Sequence, residues 1–303
     1  SLRGGNTRGM AGPGADLSLA GLRGISLYEP GALTLVAQAG TPVSEIETTL
    51  AAEGQRLAFE PMDHRALMGC SGTPTIGGVF AANVSGPRRL AIGAARDFLL
   101  GVRFVDGQGN VIKNGGRVMK NVTGYDLGKL YTGSMGTLGI ILEATFKLIP
   151  LPVDSNALVA VFPSMESAID AGSQLLRQVY APHGLQVVNS SMSQRLSLSM
   201  AGGELGSDLA TGEASQETVM LAFFSGRVRA VRRKLSEASR LIQGQGAARV
   251  EEISGPQGSG LLRQLTDVGW NSEDPPLLSI KVNVSPSMVG QVVGWFDQLS
   301  SEE

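Results

Sequence analysis

Between residues 25 and 150 the apolar positions fall into short runs cut by turn residues, first with period two and then with helical spacing. Ile25 to Tyr28 and Leu33 to Ala39 read as strands separated by Glu29-Pro30-Gly31, and the second has the alternating, β-branched look of a sheet strand. The pattern then changes period. Val43, Ile46 and Leu50 put one apolar face on a helix, with Thr41 expected as its cap, Pro42 in its first turn, Glu45 and Glu47 near its positive end, and Gly54 as its stop. Leu57 to Pro61 reads as a further strand, and Thr75 to Asn83 as a short helix with Ile76, Val79 and Phe80 on one face. Asp97 to Val105 is strand-like, Asp106-Gly107-Gln108-Gly109 is a hairpin turn, and Val111 to Lys113 is the return strand. A helix within Asn121 to Tyr131 and a strong strand from Ile140 to Ile149 complete this half.

Pro150-Leu151-Pro152 marks a domain boundary, which gives a first domain over 1–150 and a second over 151–303. In the second half the strands Ala157 to Phe162, Leu185 to Val188, Thr218 to Phe224, Arg249 to Ile253 and Leu277 to Val284 alternate with helices over Ser164 to Tyr180, Val228 to Gln243 and Met288 to Leu299. Residues 201–216 read as a loop. Strand–helix–strand, taken twice, predicts a sheet covered by helices on one side. The basic run Arg227, Arg229, Arg232, Arg233 and Lys234 reads as a solvated helix face, with an acidic partner surface as the sharper alternative.

Composition changes this picture in one respect. Of 303 residues 41 are Gly, nearly twice the usual share of roughly 7%. They cluster between apolar runs without a collagen-like period, so they point to tight turns and backbone-mediated binding. A net charge of −2 argues against a nucleic-acid partner held by bulk electrostatics. The lone Cys70 excludes an internal disulfide framework and fits a reducing compartment such as the cytoplasm. His64 and His183 are too few and too far apart for a metal site, and no apolar run is long enough to span a bilayer.

The glycines form three loops. Arg3-Gly4-Gly5-Asn6-Thr7-Arg8-Gly9 can turn successive N–H groups inward as an anion nest, with Asn6 and Thr7 as further donors and the arginines as nearby charge. The second runs from Gly69 through Thr75-Ile76-Gly77-Gly78 to Asn83-Val84-Ser85-Gly86-Pro87-Arg88-Arg89, and the third is Gly133-Ser134-Met135-Gly136-Thr137-Leu138-Gly139-Ile140. Glycines at 77 and 78 weaken a helix by roughly 1 kcal/mol each, which makes sense where a ligand or a packed strand comes close. Three such loops suggest one extended, phosphate-containing cofactor. The strand–G-x-G-x-x-G–helix arrangement of dinucleotide folds is absent, and Met10 stands where a P-loop needs Lys. No Ser-His-Asp set, metal-ligand cluster or carboxylate pair is readable, so no residue receives a catalytic role.

Taken in order, these strings resemble the FAD-binding domain of the vanillyl-alcohol oxidase, or PCMH-type, superfamily, and within it the FAD-binding subunits of bacterial glycolate oxidase. Arg3-Gly4-Gly5-Asn6-Thr7 resembles the pyrophosphate loop. Thr75-Ile76-Gly77-Gly78 with Asn83, Ser85, Gly86 and Arg88 resembles the second FAD segment, followed by Arg96-Asp97-Phe98-Leu99-Leu100-Gly101. Met119-Lys120-Asn121-Val122-Thr123-Gly124-Tyr125-Asp126 is the string most like the glycolate oxidase subunits, and Gly136-Thr137-Leu138-Gly139-Ile140 resembles the strand start whose backbone at Ile140 meets the adenine end.

The resemblance implies an α+β fold: a two-lobed PCMH-type FAD-binding domain and then an α/β cap domain. It implies FAD, with no metal, in the oxidation of glycolate or a related small 2-hydroxy acid to the 2-oxo acid. Electrons would pass through a homologous flavin subunit and an iron–sulfur subunit, in the cytoplasm or at the periphery of the inner membrane. Asn6 stands where covalent relatives carry His, and Cys70 lies too early for a Cys linkage, so the flavin is expected to be non-covalent and Cys70 a small buried residue. The His-rich motif of relatives that oxidise hydroxy acids themselves is not seen in the second half, which favours an accessory subunit over a self-sufficient oxidase of a hydroxy acid, sugar or lactone. N-terminal strands and the family's C-terminal Asn-Pro-Gly-like segment are expected to lie outside this chain.

Overall fold

The structure is a computed structural model, and it describes residues 2–3, 17–117, 124–193, 218–267 and 279–301. The chain divides into two units, one running to Leu151 and the other starting at Pro152.

In the first unit a short parallel pair, β1 (Leu2–Arg3) and β2 (Leu17–Ser18), precedes a five-stranded antiparallel sheet. Its strands are β3 (Ile25–Glu29), β4 (Thr34–Gln38), β6 (Leu99–Asp106), β7 (Val111–Gly115) and β8 (Gly139–Lys147), in the order β3-β4-β8-β6-β7. Helix α1 (Val43–Ala52) turns Val43, Ile46 and Leu50 to the core, as its spacing requires. Thr41 does not cap it. Pro42 holds the cap position, while the Thr41 hydroxyl, fully buried, donates toward Gln38 O (2.7 Å) and Gly24 O (3.1 Å) and accepts from Gly24 N–H (2.9 Å).

The expected strand over Leu57 to Pro61 is also different. Only β5 (Gln55–Arg56) pairs, with β9 (Ile149–Pro150), and Leu57, Ala58 and Phe59 are buried in an irregular turn. Short helices α2 (Arg65–Met68), α3 (Ile76–Ala82), α4 (Arg89–Ile92), α5 (Ala95–Phe98) and α6 (Leu127–Tyr131) fill the connections. Phe59, Phe80, Phe98 and Phe146 form one aromatic cluster, with ring centroids 5.5–6.5 Å apart, that seats α3 on the sheet. Such pairs add about 0.5–1.5 kcal/mol each beyond their buried area.

The second unit holds the antiparallel sheet β11-β12-β10-β13, made of β10 (Asp154–Phe162), β11 (Gly184–Val188), β12 (Thr218–Gly226) and β13 (Arg249–Ser254). With α7 (Met165–Leu176) and α8 (Val228–Gly244), the β-α-β-β-α-β order and this strand arrangement are those of a ferredoxin-like unit. Ser164 caps α7, its hydroxyl accepting from Ser167 N–H.

The sheet is covered on both faces, not one. Leu158, Ala160, Phe162, Met220, Ala222 and Phe224 meet α7 and α8, while the alternate residues Ala157, Val159, Val161, Val219, Leu221 and Phe223 meet α9 (Gly255–Thr266) through Leu261, Leu262 and Leu265. The central strands are therefore apolar on both faces from Ala157 to Phe162 and from Val219 to Phe224, which period-two reading alone does not distinguish from one-sided burial. Residues 279–284, part of the expected strand Leu277 to Val284, pair with nothing among the described residues; Ile280, Val282 and Val284 are exposed. Helix α10 (Val289–Ser301) follows. No described helix is long and apolar enough to cross a membrane.

Candidate functional site

The second and third glycine loops converge on α3. Its first turn is tied to the end of β4: Ile76 N–H donates to Thr41 O (3.0 Å), Gly77 N–H to Ala39 O (2.9 Å), and Val43 N–H to Pro74 O (2.9 Å). Thr75 caps the helix, its hydroxyl accepting from Gly78 N–H at 3.4 Å. The N–H groups of Ile76, Gly77 and Gly78 are thus engaged within the chain. The start of α3 therefore offers shape rather than free donors.

The two glycines have different reasons. A β-carbon at 77 would lie 2.6 Å from Ala39 Cβ and 2.8 Å from Ala39 O, so Gly77 serves helix–strand packing. At Gly78 the nearest atom would be Thr75 Oγ1 at 3.4 Å, ordinary contact, and the residue is half-buried. Gly78 is the position in this turn where the protein itself leaves room for a flat group against the backbone.

Asn83 ends α3 in the left-handed region (φ +50°), and its Oδ1 accepts from Arg96 N–H at 3.1 Å. Ser85 Oγ donates to Asn83 O (3.3 Å) and accepts from Ala95 N–H (3.0 Å), and Gly86 N–H donates to Phe59 O (2.9 Å). Arg88 turns inward: its side chain is 3% exposed, and Nη2 lies 2.5 Å from Glu60 Oε1. That contact is a close approach of charges without the alignment of a hydrogen bond, since Nη2 and Nε both lack a hydrogen-bond partner among the described residues. Arg56 Nη1 stands 3.9 Å from the same oxygen. Burial, and then the neighbouring Arg88, push the Arg56 guanidinium down to about 10, with Glu60 opposing. Glu60 and Arg56 carry no glycine signature, and the sequence reading passes over both.

The third loop joins from the other side. Gly133 N–H donates to Phe80 O (3.0 Å) and Met135 N–H to Ala81 O (2.8 Å), fixing the loop to the C-terminal turn of α3. Met135 (φ +55°) and Gly136 (φ +77°) carry the left-handed bend, and Met135 and Leu138 expose their side chains. Gly139 begins β8 beneath Tyr131, which stacks on Phe104 at 3.8 Å. A β-carbon at 139 would meet Val105 O at 2.4 Å and the Tyr131 ring at 2.8 Å. Ile140 pairs with Val105.

Of the expected site residues, Thr75, Ile76, Gly77, Gly78, Asn83, Ser85, Gly86, Arg88 and Ile140 thus lie on α3, the loop after it and the neighbouring strand start. Arg3 is in β1, paired with Ser18. Gly4, Gly5, Asn6 and Thr7 lie outside the described residues, as do residues 118–123 of the Met119–Asp126 string. Cys70, expected to be buried, is half-exposed with Sγ 3.3 Å from Met68 O. His183 is structural: its Nδ1 accepts from Ser225 N–H at 3.1 Å.

Residues 3–115 match a family model described as an FAD binding domain. The glycolate oxidase subunit GlcE of Escherichia coli (strain K12) is 39% identical over 160 residues, 52% of this chain and 44% of that one. The D-lactate dehydrogenase of Archaeoglobus fulgidus is 38% identical over 107 residues, 35% of this chain and 24% of that one. Alkyldihydroxyacetonephosphate synthase, a solved structure, matches with a TM-score of 0.65 and 20% identity, covering 86% of this chain and 48% of that one, a likeness of fold. The chain thus spans less than half the length of these relatives. Over residues 3–115 it is similar to FAD binding domains, which supports FAD as its cofactor. The first two of these relatives are, by name, a glycolate oxidase subunit and a D-lactate dehydrogenase.

Proposed function

We propose that the chain is the FAD-binding subunit of a complex that oxidises glycolate, or a close 2-hydroxy acid, to the 2-oxo acid. The observation that carries this is the gathering of the second and third glycine loops on α3, with Gly78 open and Met135 and Leu138 exposed beside it. Such a surface suits a flat, extended cofactor held by shape. FAD, when bound, accepts the electrons withdrawn from the substrate's C–OH carbon. Gly78 and the Asn83–Gly86 loop bound its ring, and Ile140 its adenine end. Gly4, Gly5, Asn6 and Thr7, with Arg3 nearby, take the pyrophosphate, because the N–H groups at the start of α3 are already engaged.

The likeness to GlcE supports the subunit reading. On that reading the partners are a homologous flavin subunit and an iron–sulfur subunit, the complex works in the cytoplasm or at the face of the inner membrane, and the flavin is non-covalent. Acid precipitation of the yellow protein tests the last point: flavin released to the supernatant supports it, and colour kept in the pellet overturns it. Anaerobic glycolate added to the isolated chain separates the roles. Slow or absent bleaching supports the accessory subunit, and rapid bleaching makes the chain an oxidase in its own right.

A further inference from the structure

The loop that carries Asn83, Ser85 and Gly86 is fastened at two ends. At one, Asn83 and Ser85 reach forward to the backbone of Arg96 and Ala95. At the other, the loop meets the turn after β5 twice: Gly86 N–H donates to Phe59 O, and the Arg88 guanidinium meets the Glu60 carboxylate.

The second fastening is unusual in three ways. Glu60 sits in the left-handed region (φ +43°), where a residue with a β-carbon is disfavoured and Gly or Asn is at ease. Its side chain is 15% exposed and that of Arg88 3%, so both charges are largely removed from water. Two guanidinium groups share the one carboxylate, while Glu60 Oε2, Arg56 Nε and Arg88 Nε lack hydrogen-bond partners among the described residues. An apolar residue opposite an apolar residue would fill this space with less strain. What the Glu60–Arg88 pair gives instead is a buried ionic tie between two segments that share no secondary structure.

We propose that Glu60 is a positioning residue for the cofactor, acting through Arg88 to hold the Asn83–Arg88 loop where it meets FAD. This rests on the reading of that loop as part of the FAD site.

Two variants of the whole chain test it. Glu60→Gly removes the carboxylate and relieves the left-handed backbone but leaves two buried guanidinium groups without it, so its melting temperature fixes the range in which FAD is titrated. Arg88→Met removes the other partner and leaves Glu60 to Arg56. The readouts are hydrogen exchange of the chain without FAD, melting temperature, and FAD affinity by quenching of flavin fluorescence. The expected result is faster exchange confined to residues 83–93 in both variants. FAD affinity should fall roughly tenfold or more at a temperature well below unfolding. Unchanged exchange in that segment overturns the tie. Faster exchange with FAD affinity equal to the parent's overturns the positioning role. A parent chain that takes up no FAD overturns instead the reading of the loop as a cofactor site, and is told apart from the other failures by the parent's own titration.

Discussion

The amide of Gly77 donates to the carbonyl of Ala39 at 2.9 Å, and a β-carbon at 77 would stand 2.6 Å from the β-carbon of Ala39. Gly77 is the closest of the contacts that seat α3 on the end of β4, and the neighbouring Gly78 is free of that packing demand. Gly77→Ala should lower stability by up to about 2 kcal/mol in urea unfolding, because overpacking of about 1–3 kcal/mol is offset only in part by the better helix propensity of Ala, about 1 kcal/mol. Gly78→Ala meets only Thr75 Oγ1 at 3.4 Å. It should leave stability unchanged or raise it by up to about 1 kcal/mol, while weakening FAD binding. A Gly78→Ala chain that binds FAD as tightly as the parent would remove the flavin from this turn.

Arg56 is the cation without a carboxylate of its own. Its removal leaves Glu60 with Arg88, so no buried charge is stranded. Arg56→Met should therefore be neutral or stabilising at pH 7, by up to about 2 kcal/mol, since taking a poorly paired ion out of a low-dielectric site is favourable. The sign of the pH dependence follows from the lowered value, about 10 against the higher ordinary value of an arginine. Between these values the unfolded chain still holds the proton that the folded chain has lost, so the parent gains stability as pH rises and the advantage of the variant narrows. Melting curves at pH 7 and above pH 10 check both statements. A variant that melts well below the parent at pH 7 would mean that Arg56 is a needed partner of Glu60.

What the sequence made legible follows how local each feature is. The spacing of Val43, Ile46 and Leu50 is complete within one helix, and Asp106-Gly107-Gln108-Gly109 within one turn; both are found where the residues put them. Thr41 misleads because the signature of a cap says nothing of competing acceptors, here Gln38 O and Gly24 O. Ile280, Val282 and Val284 have the alternation of a strand, yet alternation specifies a face only where a sheet edge is present to receive it. Helix α9 goes unread because Gly255, Pro256, Gly258 and Gly260 are turn residues by composition, and burial of Leu261, Leu262 and Leu265 overrides them. In the site, the glycine strings announce the loops. The Glu60–Arg88 tie that holds one of them is a long-range pairing, visible in sequence only as a lone acid inside the apolar run Leu57 to Pro61.

Asp106 makes the same point with a charge. Its carboxylate accepts from Gln108 N–H (2.8 Å), Asn110 N–H (2.9 Å) and Asn110 Nδ2 (3.0 Å). The side-chain amide of Asn110 is the largest cause holding the group below its ordinary 3.8, followed by the Asn110 backbone N–H. A carboxyl lowered on folding supports the fold above its unfolded value, and that support is lost as pH falls through the lower folded value. Asp106→Ala should therefore melt below the parent at neutral pH, with the difference fading below pH 3.8. Asp106 also pairs with Gly139 at the end of β6, beside the pair Val105 and Ile140. Amide exchange at Gly139 and Ile140 should accordingly quicken in Asp106→Ala at neutral pH and match the parent's in acid. Exchange that stays at the parent's rate at neutral pH would mean that strand β8 keeps its start without the turn.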